Sequence, residues 1–476
     1  MTLIHIAVFI GFAVLIRLLR NQTAAAWLML ISSLLFIYWL QPVSSIRSLE
    51  FWMPSFLIAL TIFVWGLISP REALDENQNR LAALTAFLVV LAISTIRYLN
   101  IPFLAGLVNP PAIWKVFLFI LAAGLLFWLA NRAASKTRLS AAVVIIAAIL
   151  VFIVLKYQPL GLKISQLLRA LNGQSPKLAN ASEIAWIGYS YFTFRLIHVL
   201  REWQQDRKFQ VNLRDFMVYV LFFPAFTAGP IDRLDHFQKE MANRTELPAA
   251  DDFLEGGRRI VHGLFYKFIL ADSLALLTLN PLSVQQVHYT GWMWLLVYAY
   301  ALRLYFDFSG YSDLAIGIAR LMGIKLPENF KQPYLAENIT IFWNRWHITL
   351  TQWFRTYYFN PVTRYLRTRQ NPIPTVWMVF FTQISTMLLI ALWHGISLNF
   401  VIWGLWNGLG MFVHNRWTEW RKTHPAKPLV NAWAIHVQKY ISIFATFNFI
   451  ALGWIWFALP DINSALQVFS KLLGGI

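Results

Sequence analysis

The 476-residue sequence contains no cysteine. Disulfides, thiolate metal sites, palmitoylation and an acyl intermediate on a thiol of this chain are therefore excluded. An acyl thioester, if one takes part, must belong to another molecule. Charge is also scarce: 13% of residues are Asp, Glu, Lys or Arg, about half the roughly 25% of a soluble domain. Acid is the scarcer sign, with 22 carboxylates against 40 Lys and Arg and a net charge of +18. His5, His198, His236, His262, His288, His414, His424 and His436 form no metal-ligand spacing such as His-x-x-x-His, so no catalytic metal is expected. No Lys or Arg precedes the first apolar run. That run lacks the charged start of a cleavable signal peptide and is expected to stay as a span. No internal repeat or low-complexity segment occurs.

What is abundant is apolar and aromatic surface: 58% of residues are hydrophobic, 16% are aromatic and the mean hydropathy is +0.54. Runs long enough to cross or enter a bilayer recur at 3–16, 24–40, 51–69, 81–99, 113–130, 141–155 and 181–200. A shorter run, 216–227, is broken by Pro224 and closes on Ala228-Gly229-Pro230; its length suits a re-entrant segment. Further spans follow at 261–279, 292–308, 376–393, 400–414 and 440–459. The pattern predicts an all-α polytopic membrane protein with about 11–13 spanning or re-entrant helices.

The basic residues lie in short loops between these runs, the distribution the positive-inside rule produces, and no basic arm or groove-reading motif points to nucleic acid. With the N-terminus outside, the inner loops collect Arg17, Arg20, Arg71, Arg80, Arg132, Lys136, Arg138, Arg201, Arg207, Lys208 and Arg214. Beyond Arg214 the parity depends on whether 216–227 crosses. We expect one membrane-embedded domain, with N-terminal helices to residue 180, a core over 181–420 and closing helices over 421–476.

Residues 338–395 combine polarity with membrane-compatible sequence. In 341–355, Phe342, Trp343, Trp346, Leu350, Trp353 and Phe354 recur at helical spacing, with Asn344, Arg345, Thr351, Gln352 and Arg355 opposite. This predicts one amphipathic helix lying in the interface or lining a cavity, ended by Pro361. Lys325, Lys331, Arg364, Arg367 and Arg369 make its surroundings basic, which suits lipid headgroups or an anionic visitor such as a phosphopantetheine or coenzyme A group. His347 falls on this helix. His394 ends a long apolar run, with Gly395 as the expected cap. There the helix dipole favours an imidazolium and burial opposes it, the balance a general base needs. Arg303 and Asp307 stand four apart and are expected to neutralise each other. Asp313, after Ser309-Gly310-Tyr311-Ser312, has no such partner in sequence.

The string YFDFSGYSDLAIGIARLMGIKLPENF at 305–330 is followed by Pro333-Tyr334-Leu335, Phe342-Trp343-Asn344-Arg345-Trp346-His347-Ile348 and Leu392-Trp393-His394-Gly395. With Thr227-Ala228-Gly229-Pro230-Ile231 upstream, this ordered set resembles the bacterial branch of the membrane-bound O-acyltransferase family over about 181–456. The resemblance implies a helical fold around a membrane tunnel, where a cytoplasmic donor entrance meets an outer acceptor funnel. His394 then corresponds to the family's essential histidine and His347 to its second, tunnel-lining one. Trp346, Trp393, Asn344, Arg345, Ser309, Tyr311 and Asp313 are expected along the tunnel. Two departures stand out: Thr356 precedes Tyr357 where the branch usually has Asp, and Asn407 stands where relatives often carry histidine.

Members of this branch acetylate exported polysaccharides such as alginate or attach D-alanine to teichoic acids from a carrier protein. The resemblance therefore implies a bacterial cytoplasmic-membrane enzyme with no permanently bound cofactor. It would move an acyl group, most simply acetyl, from acetyl-CoA or an acyl carrier protein to a polysaccharide hydroxyl or a partner acyltransferase outside. The closing stretch 452–466 is closer to the alginate type. A secondary transporter or a flippase for a lipid-linked sugar is the alternative from another class, although the paired halves with broken helices common in transporters are missing.

Overall fold

The computed structural model describes residues 2–99, 109–133, 137–205, 207, 209–244, 250–425 and 431–475. Among them there is no strand, and 79% are helical. Seven helices among the described residues are long and apolar enough to cross a bilayer: Gln22–Trp39, Leu49–Ile68, Asn77–Tyr98, Ile113–Arg132, Arg138–Lys156, Thr375–His394 and Ala432–Ala458. Other helices reach spanning length but carry more charge. Thr290–Leu321 has 32 residues and Leu398–Thr423 has 26, about 48 and 39 Å at 1.5 Å per residue. The chain divides into two compact units, Met1–Arg259 with Ala315–Leu326, and Ile260–Leu314 with Pro327–Ile476.

In the first unit, Ile113–Arg132 and Arg138–Lys156 are apolar on every side and leave Leu118, Leu121, Leu125, Val143 and Ile146 exposed. Such helices suit a lipid surrounding. Residues 216–227 contain no helix of spanning length. Leu213–Leu221 is a helix of nine residues, about 14 Å long and roughly half of a hydrocarbon core. Phe216, Met217, Val218 and Val220 on it are each 0% exposed. Its C-terminal carbonyls are capped by a buried cation. Arg195, from the helix Tyr189–Gln204, donates to the carbonyls of Tyr219 (3.2 Å), Val220 (3.0 Å) and Ala225 (3.1 Å). The first two oxygens belong to the last turn of the helix, whose carbonyls have no partner within it and carry the negative end of its dipole; the third follows the helix.

The amphipathic helix Gln158–Leu171 is latched to the turn Ala181–Ile184 by Glu183. That carboxylate pairs with the Arg169 guanidinium and accepts from Ser165 Oγ at 2.5 Å. Arg169, and to a lesser degree Ser165, hold the Glu183 carboxyl down at about 2, well below the roughly 4.3 of an unfolded chain. A depressed carboxylate contributes stability above its unfolded value and loses it as pH falls toward the folded one. The thermal-stability gap between wild type and Glu183→Gln is therefore expected to narrow between about pH 6 and about pH 3. A constant gap would mean that the ion pair contributes nothing.

In the second unit, two helices cross at a pair of glycines. A Cβ on Gly263 would lie 2.7 Å from the Gly310 carbonyl oxygen, and one on Gly310 would lie 2.8 Å from the Lys267 nitrogen. Only glycine allows backbones this close. Immediately after the crossing, Phe265–Ala271 widens into a π-helix. Nearby, Thr375–His394 and Leu398–Thr423 form an antiparallel hairpin. Gly404 and Gly408 lie against Met387, Leu388 and Ile384, with built Cβ contacts near 3 Å.

Three sequence expectations are corrected here. The run 341–355 is two short helices, Ile339–Arg345 and Ile348–Phe354, separated by Trp346 and His347. Pro361 does not end the second. The π-turn Arg355–Phe359 carries the helix on into Asn360–Arg367, with Pro361 directly after the widened turn. Arg303 and Asp307 do not pair with each other: Lys267 Nζ donates to Asp307, and Arg303 donates to Thr278 Oγ1 at 3.1 Å. Both partners come from elsewhere in this unit and reach the charges from the side, which i, i+4 spacing cannot reveal.

Candidate active site

His347 is built by the break between the two short helices. Its φ of +43° and ψ of +55° put it in the left-handed region, where few residues other than glycine go and histidine is among the more tolerant. The backbone there is clamped from upstream: Ile348 N donates to the Asn329 carbonyl at 2.9 Å and Lys331 N to the Arg345 carbonyl at 3.0 Å. The left-handed step turns the His347 ring inward, where it is 2% exposed. It meets Phe308 edge-on at 4.7 Å, Trp393 edge-on at 6.0 Å and Phe330 face-on at 6.5 Å between centroids. Its Nδ1 lies 3.0 Å from Asn329 Oδ1.

His394 is the last residue of Thr375–His394. Its ring is half-buried among aromatics: Trp393 at 4.5 Å, Phe457 at 4.8 Å, Trp403 at 5.6 Å and Phe400 stacked at 6.3 Å. Gly395 is not the expected left-handed cap. Its φ of −178° is extended backbone. Glycine matters there because a Cβ would strike the Phe400 ring at 2.5 Å, and Phe400 is the ring that stacks on His394. The Trp393 ring contacts the rings of both histidines.

The remaining candidates divide. Trp346 is 5% exposed and packs on Phe342, Phe330 and Trp454 at 5.5, 5.1 and 5.2 Å. Through Phe330 it shares a ring with His347. Ser309, Tyr311 and Asp313 are buried within the unbroken helix Thr290–Leu321. Asp313 accepts from His262 Nδ1 at 2.7 Å, and the His262 ring lies 3.9 Å from that of Tyr266. The structure does not bring Asn344 and Arg345 to His347. Asn344 is exposed and accepts from Arg355 at 2.6 Å, and Arg345 reaches the Leu335 carbonyl at 3.4 Å. Asn407 is buried and donates to Trp403 O at 2.9 Å, within its own helix.

Sequence reasoning passed over Asn329, Thr349, Ser312 and His262. The only local signal was the glycine pair that lets His262 and Asp313 meet across 51 residues. Among the described residues, no three His, Asp or Glu side chains gather closely enough to hold a metal ion. Two imidazoles packed on one aromatic residue can accept or deliver protons at a reacting oxygen.

The sequence profile of the membrane-bound O-acyltransferase family matches residues 40–456. The probable alginate O-acetylase of Pseudomonas aeruginosa is 31% identical over 400 residues, which cover 82% of this chain and 72% of that protein. The teichoic acid D-alanyltransferase of Streptococcus thermophilus is 32% identical over 302 residues, 58% of this chain and 69% of that one. The peptidoglycan O-acetyltransferase of Helicobacter pylori is 34% identical over 268 residues, 55% and 46% of the two chains. Against several other alginate O-acetylases of pseudomonads, the chain spans about half of the relative's length, 51–55%. Both histidines and the aromatic residue that contacts them fall inside the matched region, and the chain belongs to the membrane-bound O-acyltransferase family.

Proposed function

We propose that the chain is an O-acyltransferase of a bacterial cytoplasmic membrane, with its N-terminus outside. It transfers an acetyl group from a cytoplasmic thioester, acetyl-CoA or an acylated carrier protein, to a hydroxyl of an exported polysaccharide or of a partner acyltransferase. The carrying observation is the pair of histidines packed on Trp393 in the region shared with acyl-transferring relatives. An alcohol attacks a thioester slowly until a base removes its proton during attack. His394 takes that proton as the new C–O bond forms, and returns it to the thiolate as the C–S bond breaks. The step is balanced without metal or redox partner, and base assistance of this kind contributes about 10²–10⁴-fold. Absence of cysteine makes direct transfer the natural course, since the chain offers no thiol of its own.

Acetyl is favoured over D-alanyl because alignments with alginate O-acetylases extend over 60–82% of the chain, against 58% for two D-alanyltransferases. Membranes containing the protein, given either labelled acetyl-CoA or labelled D-alanyl carrier protein, separate the two. Polymer labelled from acetyl-CoA supports this reading, and polymer labelled only from the D-alanyl carrier replaces it with the teichoic acid type. Label reaching polymer from neither donor contradicts both.

A further inference from the structure

Asn329, set in Pro327-Glu328-Asn329-Phe330, is 0% exposed although its side chain is a polar amide. Burial of an amide is costly unless it is hydrogen-bonded, and here both its oxygen and its nitrogen are. Its Oδ1 lies 3.0 Å from His347 Nδ1, 3.0 Å from Thr349 Oγ1 and 3.4 Å from the Thr349 backbone nitrogen. Its Nδ2 donates to Ser312 Oγ at 3.2 Å, and its own carbonyl receives Ile348 N at 2.9 Å. One residue thus holds 347, 348 and 349 together. It also ties them to the helix Thr290–Leu321 through Ser312.

The pattern settles which hydrogens are where. A backbone N–H can only donate, so the amide atom facing Thr349 N is the oxygen, and the rotamer cannot be flipped without breaking that bond. His347 Nδ1 faces the same oxygen and must therefore carry a hydrogen. In a neutral imidazole one nitrogen is a donor and the other an acceptor, so the lone pair is left on Nε2. This is the logic by which a carboxylate fixes the catalytic imidazole of serine proteases, carried out here by a neutral amide.

We infer that Asn329 is a positioning residue that locks His347 as the Nδ1–H tautomer, its oxygen receiving the Nδ1 hydrogen and its nitrogen tying the turn to Ser312. The expected effect on turnover rests on the acyl-transfer reading; the tautomer itself does not.

The tautomer is read directly on wild-type protein in lipid bilayers by ¹⁵N spectroscopy with labelled histidine, the His347 signals being those absent from His347→Gln. The expected spectrum has a protonated Nδ1 and an unprotonated Nε2; a protonated Nε2 beside a bare Nδ1 overturns the proposal. This needs no turnover, so it stands or falls separately from the acyl-transfer reading. In the activity assay, Asn329→Leu should lower kcat by about 10–100-fold, the usual cost of losing an orienting partner, with KM for the thioester little changed. Asn329→Asp keeps an acceptor facing Nδ1 and should recover most of that loss. Equal loss in the Leu and Asp variants, both with wild-type thermal stability, would also overturn the assignment.

Discussion

Acyl transfer is expected to fall by about 10²–10⁴-fold in His394→Gln, the full value of general-base assistance, with the protein still folded and inserted. The residue ends a helix, and its ring contacts four other aromatic rings. Aromatic pairs contribute about 0.5–1.5 kcal/mol each, so some thermal stability is lost with the ring. Glutamine fills part of the volume and retains hydrogen-bonding capacity but cannot exchange a proton near neutral pH. Measuring kcat beside the melting temperature separates the chemistry from the packing. Near-normal turnover in a folded Gln variant would remove His394 from the mechanism.

At His347 the backbone and the ring make separate demands, and substitutions can tell them apart. With φ at +43°, glycine fits without penalty, asparagine fits readily, and alanine or valine is strained. His347→Gly should therefore be more stable than His347→Ala by about 1 kcal/mol, the reverse of the order inside an ordinary helix. His347→Asn should keep the turn between the two short helices. All of these variants remove the ring and should lose about 10²-fold in kcat. A more stable Ala than Gly variant would show that the left-handed turn is not maintained in solution. Unimpaired turnover in His347→Asn would show that the imidazole takes no part in turnover.

The spans were legible in the sequence because length and apolarity alone decide them: Leu49–Ile68 and Thr375–His394 could hardly be anything else. His394 was legible for the same reason, as a titratable group at the end of such a run. The break at Trp346-His347 was not. Local periodicity across 341–355 is helical throughout, and the left-handed step comes from hydrogen bonds to Asn329, 18 residues upstream. Likewise Asp307 found Lys267, 40 residues away, where spacing pointed to Arg303. Side chains that meet through tertiary packing leave no periodic trace, so the polar partners of His347 were not visible in the sequence pattern. Asn344 and Arg345 show the converse: a motif groups neighbours in sequence, but successive helical residues face different ways, and these two turn away from the ring beside them.

The most direct measurement is made on purified protein in liposomes, supplied with a radiolabelled acetyl thioester on one side and a hydroxyl-bearing glycan on the other. The thioester should be consumed and its acyl label appear covalently on the glycan, with wild type but not with His394→Gln. Passage of intact thioester or intact glycan across the bilayer without acyl transfer would contradict the account and mark the chain as a transporter.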